Sequence, residues 1–272
     1  MHKGETLLMK KTVNHTQVYV EEKGQGTPVI LLHGFPLDHQ MWRPQMEALA
    51  PSCRIIAPDL RGMGQSDVPA INVSLEDYAD DILALMDDMN VKKAALGGFS
   101  MGGYIAFALL RKAPERFSAL ILANTRPEAD SPEGRKNRMN MAASLYEKGA
   151  AAARDAMLPK LLTEQTRQNQ PQLVEELNTV MGSMPPEGLV HASLAMAFRQ
   201  DSVDLLASIQ IPTLVIAGEQ DAIAPPDVMK KMADQIPQAS FHVIPAASHL
   251  APLEQPEAFN ALLSDFLGRI TV

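Results

Sequence analysis

Gly98-Phe99-Ser100-Met101-Gly102 sits directly behind the short apolar run Ala94 to Gly97 and opens a stretch of helical character that begins Met101-Gly102-Gly103-Tyr104. A strand that turns sharply into a helix, with a serine at the tip, is a nucleophile elbow. Small residues are required around it. The serine backbone is held in a strained conformation, and a Cβ at Gly98 or Gly102 is expected to collide with the adjoining strand and helix. The five-residue pattern alone arises by chance in roughly one chain in ten of this length, so the surrounding sequence has to decide.

Outward from the elbow, further Val, Ile and Leu runs recur at Val29 to Leu32, Arg54 to Ala57, Ala119 to Ala123, Thr213 to Ala217 and Phe241 to Ile244. Stretches of helical period separate them. Leu75 to Met89 repeats apolar residues at i, i+3 and i+4 behind Ser74 as N-cap; Met101 to Ala113, Asp227 to Gln235 and Pro256 to Leu267 read as further helices. Unbroken apolar strands alternating with helices predict an α/β fold, a mostly parallel central sheet flanked by helices on both faces. The opening residues, up to about Glu22, read as a two-strand hairpin feeding the sheet, with Gly24 to Gly26 as a turn.

The alternation stops between residues 126 and 200, which are rich in Ala, Met, Gln and Glu and carry no strand-like run. We read residues 126–200 as an inserted helical cap and residues 1–125 and 201–272 as the core. Pro127, Pro132, Pro159, Pro171 and the pair Pro185-Pro186 are expected to divide the cap into about four helices.

Bulk composition narrows the partners. A formal net charge of −8 argues against nucleic acid, whose recognition rests on clustered Lys and Arg. Neither a signal-peptide run nor a stretch of 18 apolar residues is evident, and the single cysteine, Cys53, suits a reducing compartment as buried filler. The expected setting is the cytoplasm, away from membranes. Oligomeric state is not legible.

A serine hydroxyl is a weak nucleophile until a histidine takes its proton, and that histidine needs a carboxylate to fix its tautomer. Asp221 lies just past the run Thr213 to Ala217, and His249 just past Phe241 to Ile244, so both emerge at carboxyl ends of strands, as Ser100 does. Glu219 and Asp130 stand as alternative acids. The oxyanion of the reaction needs backbone N–H donors, for which Phe35, behind the run Val29 to Leu32 in Leu32-His33-Gly34-Phe35-Pro36, and Met101 are the candidates. His33 reads as a brace for that turn, and Asp59, Arg61 and Asp67 as ordinary polar contacts of the loop after the second central strand. His2, His15, His39, His191 and His242 show no partner pattern. Met139, Met141, Met157, Met181, Met184 and Met196 read mainly as cap core, and Arg135, Lys136 and Arg138 as a solvated face.

His33-Gly34-Phe35-Pro36, Asp59-Leu60-Arg61-Gly62-Met63-Gly64-Gln65-Ser66, Gly98 to Gly103, Asp221 and His249 together resemble the α/β-hydrolase superfamily from Thr27 to Leu267. The branch resembled is that of capped serine esterases and lactonases, including 3-oxoadipate enol-lactonase-like hydrolases, carboxylesterases and cofactor-free perhydrolases. The resemblance implies a helical lid over an apolar pocket, with no metal and no organic cofactor. Ser100 and Met101 depart from the haloalkane dehalogenase pattern, which has Asp followed by Trp, and epoxide hydrolases also attack with Asp.

The expected activity is hydrolysis of a small acyl ester through an acyl-enzyme on Ser100. A lactonase, a perhydrolase and a C–C hydrolase would use the same three residues. A binding protein that has kept the fold without its chemistry is the reading from another class.

Overall fold

The computed structural model describes residues 6–270. His2 and the outermost residues of the core range lie outside them. Eight strands form one sheet: β1 (Thr6–Val13), β2 (Thr16–Lys23), β3 (Thr27–Leu32), β4 (Cys53–Pro58), β5 (Ala94–Phe99), β6 (Phe117–Ala123), β7 (Thr213–Gly218) and β8 (Ala239–Ile244), in the order β1-β2-β4-β3-β5-β6-β7-β8. The β1–β2 hairpin reverses at Asn14-His15 and joins β4 antiparallel, while β4 to β8 pair in parallel. Gly24 to Gly26 link β2 to β3. The six predicted runs are all strands, each observed strand reaching one or two residues further.

Alternate residues of the central strands feed two separate cores, which is why these strands read as continuous apolar runs. On one face Ile30, Leu32, Leu96, Leu120 and Val215 meet α2 (Leu75–Asp88), α3 (Met101–Lys112) and α9 (Pro226–Ala233). On the other, Val29, Leu31, Ala95, Ile121 and Ile216 meet α1 (Arg43–Leu49) and α11 (Pro256–Leu267), with the short α10 (Ala251–Glu254) just before it. Ser74 caps α2 and completes a reciprocal capping box with Asp77. Cys53 is buried.

Between β6 and β7 the chain forms five helices rather than four: α4 (Pro132–Lys148), α5 (Ala151–Leu161), α6 (Glu164–Asn169), α7 (Pro171–Gly182) and α8 (Pro186–Ala197). Pro159 does not end a helix; it lies inside α5. Pro132, Pro171 and Pro186 do open α4, α7 and α8, while the remaining two breaks come from Gly149, at φ +70°, and from Thr163, whose side chain caps α6. Met181, Met184 and Met196 are buried, Met141 and Met157 partly so, and Met139 is exposed.

The two stems of the insertion are tied together. Ser202 N–H donates to Pro127 O at 2.9 Å, and Ala129 N–H to Asp201 Oδ2 at 3.0 Å. Arg199 binds Asp130 at 2.7 Å, donates to the carbonyls of Glu128 and Met196, and lies over the Tyr104 ring. Arg138 also pairs with Asp130, and Arg135 donates to Ala197 O and covers Phe198, so neither is simply a solvated charge; Lys136 is exposed.

Candidate active site

Ser100 ends β5 and starts α3 at φ 51° and ψ −113°, a conformation that costs a non-glycine residue of order 1–3 kcal/mol. The elbow is held from several sides. Ser100 N–H donates to Ala123 O at 3.0 Å, and Ser100 O accepts from Gly103 N–H and from Thr125 Oγ1. A Cβ at Gly98 would stand 2.4 Å from Gly102 O, and one at Gly102 would stand 2.3 Å from Leu32 O. Glycine is therefore what lets the start of α3 lie against the end of β3.

The three side chains from separate strand ends meet. His249 Nε2 lies 2.9 Å from Ser100 Oγ, and His249 Nδ1 lies 2.8 Å from Asp221 Oδ2. His249 and Asp221 are buried, while Ser100 is partly open. Phe99 packs against the imidazole with ring centroids 5.0 Å apart. Of the alternative acids, Glu219 is exposed and accepts from Ala246 N–H, and Asp130 is engaged by Arg199 and Arg138. Asp221 is the carboxylate beside the imidazole.

Asp221 is saturated with donors. Oδ2 accepts from His249 and from Asn124 Nδ2 at 2.8 Å, and Oδ1 accepts from the N–H groups of Ile223 and Ala224. Burial pushes its pKa up, but the adjacent imidazole and the hydrogen bonds from His249, Asn124 and Ala224 outweigh that and leave it below the ordinary carboxylate value. A carboxylate held ionised fixes the proton of His249 on Nδ1, which turns the Nε2 lone pair toward Ser100.

Behind β3, His33 is fully buried. Its Nε2 accepts from Leu60 N–H at 2.9 Å, which places the ring proton on Nδ1, 3.0 Å from Gly34 O. Gly34 O also accepts from Leu37 N–H. Gly34 C=O and Phe35 N–H belong to one planar trans peptide and point in opposite directions, so anchoring the carbonyl aims the N–H. Burial lowers the His33 pKa and keeps the ring neutral. The Phe35 and Met101 N–H groups have no acceptor among the described residues.

A family model described as the alpha/beta hydrolase fold matches residues 27–256. The chain belongs to the α/β-hydrolase family. This α/β-hydrolase is 32% identical over 242 residues to 3-oxoadipate enol-lactonase 1 of Acinetobacter baylyi, covering 89% of each chain. It is 33% identical over 269 residues to the AB hydrolase superfamily protein YisY of Bacillus subtilis, covering 94% of this chain and 97% of that one. Among solved structures, a thermophilic esterase from Thermogutta terrifontis superimposes with a TM-score of 0.94 at 42% identity, covering 98% of this chain and 100% of that chain.

One group that local reading left unpartnered proves central to the hydrolase scaffold. His39 is buried with Nδ1 2.6 Å from Asp59 Oδ1 and Nε2 3.3 Å from Glu21 Oε2. Burial alone would lower its pKa; hydrogen bonds to Asp59 and Glu21 and their charge overcome this and raise it to about 9. Asp38, His39 and Asp59 are close enough to surround an ion, but an imidazolium with both nitrogens directed at carboxylates offers no lone pair to a metal. Asp59 also accepts from Gln65 N–H, Arg61 pairs with Asp81, and Asp67 accepts from Gln17 N–H, so this loop is held by polar contacts as expected. His15 and His242 are exposed. No helix among the described residues is long and apolar enough to cross a membrane.

Asn124 was also invisible to local reading. The one signal was its position, directly after β6 on the same sheet edge as Ser100 and Asp221.

Proposed function

We propose that the chain is a carboxylic ester hydrolase, with Ser100 as nucleophile, His249 as general base and acid, Asp221 as the carboxylate that orients the imidazole, and the Phe35 and Met101 N–H groups as oxyanion donors. The observation that carries this reading is the 2.9 Å separation of His249 Nε2 and Ser100 Oγ, with Asp221 at 2.8 Å on the far nitrogen. Ser100 Oγ attacks the acyl carbon while its proton passes to His249 Nε2. Negative charge collects on the former carbonyl oxygen between the two N–H groups, each worth about 3 kcal/mol of barrier in comparable sites. The C–O bond breaks, His249 returns the proton to the leaving alcohol, and a water repeats the sequence on the acyl-enzyme. No metal or organic cofactor is needed for any of these steps. The helices of residues 126–200 serve as the lid over the acyl site in this reading.

A fluorophosphonate probe tests the assignment. Wild-type protein is expected to be labelled at Ser100, and Ser100→Ala to be unlabelled and inactive on p-nitrophenyl acetate. Labelling that persists in Ser100→Ala would overturn it. The similarity to an enol-lactonase favours lactone opening as the second activity; a lactone arm in the same panel distinguishes the two, since the triad serves both.

A further inference from the structure

Glu254 is 2% exposed, and no cation pairs with it among the described residues. A carboxylate buried on these terms is costly unless its oxygens are well supplied with donors. Both donors are backbone N–H groups, from different parts of the molecule: Oε1 accepts from Thr163 at 2.7 Å and Oε2 from Ser248 at 2.5 Å. Thr163 lies between α5 and α6, in the helical insertion; Ser248 immediately precedes His249. On the other side of His249, Leu250 N–H donates to Leu161 O at 2.9 Å. Ser248 Oγ lies within reach of Lys160 O at 3.4 Å or Gln220 O at 3.3 Å. The core therefore grips the imidazole through Asp221, and the insertion grips the backbone on both flanks of the same residue.

We propose that Glu254 is a positioning residue for His249, joining residues 160–163 of the insertion to the histidine loop, so that the imidazole reaches Ser100 only while this foot of the insertion is docked. The proposal rests on the triad reading above. It divides the insertion mechanically. Residues 160–163 form a fixed foot, and any opening that admits substrate has to occur elsewhere in α4 to α8 without lifting them.

Two substitutions break the bridge between Thr163 and Ser248 from different members. Glu254→Gln puts an amide NH2 against one of the two N–H groups, so donor faces donor. Thr163→Pro deletes the donor itself, and the backbone accepts it: Thr163 has φ −63°, and Leu162 before it has φ −119° and ψ 149°. Thr163→Ala keeps the N–H and reports the loss of the α6 cap alone. Turnover of p-nitrophenyl acetate, fluorophosphonate labelling rate and thermal unfolding are measured for each.

The expected result is that Thr163→Pro lowers kcat and labelling rate at least about tenfold beyond Thr163→Ala, with KM nearly unchanged. The acid limb of the kcat/KM profile should also move in both Thr163→Pro and Glu254→Gln, because the imidazole no longer sits squarely on Asp221. Glu254→Asp, which keeps the charge but shortens the reach, substitutes where Glu254→Gln does not fold. Folded variants with wild-type kcat and an unmoved acid limb would overturn the proposal, as would equal losses in Thr163→Ala and Thr163→Pro. Wild-type protein that escapes fluorophosphonate labelling would instead remove the triad reading itself.

Discussion

Gly102→Ala is the smallest change that should separate the two halves of the candidate site. The added methyl would lie 2.3 Å from Leu32 O, 2.8 Å from Leu32 C and 2.9 Å from His33 O. All three are backbone atoms, and the closest is about 1 Å inside ordinary contact, so no side-chain rotation relieves the clash. Either α3 moves away from the end of β3 or the Leu32-His33 segment moves away from α3. In both cases the Met101 N–H, at the start of α3, shifts by about 1 Å relative to the Phe35 N–H, two residues past His33. A misplacement of that size costs about 100-fold in rate, or about 2.7 kcal/mol of barrier, and the overpacking costs a further 1–3 kcal/mol or so of stability. The assay is kcat/KM on p-nitrophenyl acetate alongside thermal unfolding, with Gly134→Ala in α4 as reference. A Cβ at Gly134 meets nothing closer than 3.4 Å, and the change should raise stability by roughly 0.5–1 kcal/mol with activity unchanged. A Gly102→Ala enzyme with wild-type kcat/KM and melting temperature would refute the steric argument for the elbow.

Three further outcomes follow from geometry. His33→Ala removes one of the two donors to Gly34 O, leaving that of Leu37, and leaves Leu60 N–H without its acceptor; kcat should drop about 10- to 100-fold with little change in KM, read from initial rates, and an unchanged kcat would detach His33 from the oxyanion turn. His39, whose pKa is raised to about 9 by Glu21 and Asp59, contributes stability that is complete below its unfolded pKa near 6.5 and is lost as pH rises through 9. Glu21 and Asp59 have lowered pKa values, so their share is present above the ordinary carboxylate range and lost on acidification; denaturant unfolding of wild type relative to His39→Gln should narrow by roughly 2 kcal/mol between pH 6.5 and 9.5, and a constant gap would contradict the ion cluster. Arg199→Met leaves Asp130 buried with only Arg138 and unties the insertion stems, at a cost of about 3 kcal/mol; limited proteolysis should then cut within residues 126–200 before the core, and a wild-type digestion pattern would count against the clamp.

The sheet was legible because strands buried on both faces are written as unbroken Val, Ile and Leu runs, and the convergence of Ser100, Asp221 and His249 followed from each lying at the carboxyl end of such a run. α1 was not legible: it has seven residues with Pro44 in its first turn, too short for a period to show. The insertion was recognisable as helical and three of its helices start at the expected prolines, but the breaks on either side of α5 were not legible, because Pro159 fits inside that helix while Gly149 ends α4 before it and Thr163 caps α6 after it. Asn124 reaches Asp221 across 97 residues and Thr163 reaches Glu254 across 91. Contacts of that span leave no local pattern, and His39 escaped notice because its partners, Glu21 within β2 and Asp59 just after β4, come from separate strands that only the sheet brings together.

The chain leaves and rejoins the core at neighbouring points, bridged by the Pro127–Ser202 hydrogen bond, so the spacing of β6 and β7 does not set the length of the helical segment between them. Its tight points lie away from that junction, at Gly188, where a Cβ would stand 1.7 Å from Gly62 O, and at Thr163, whose backbone amide meets Glu254, so a segment of another length has to reproduce both close approaches to the core.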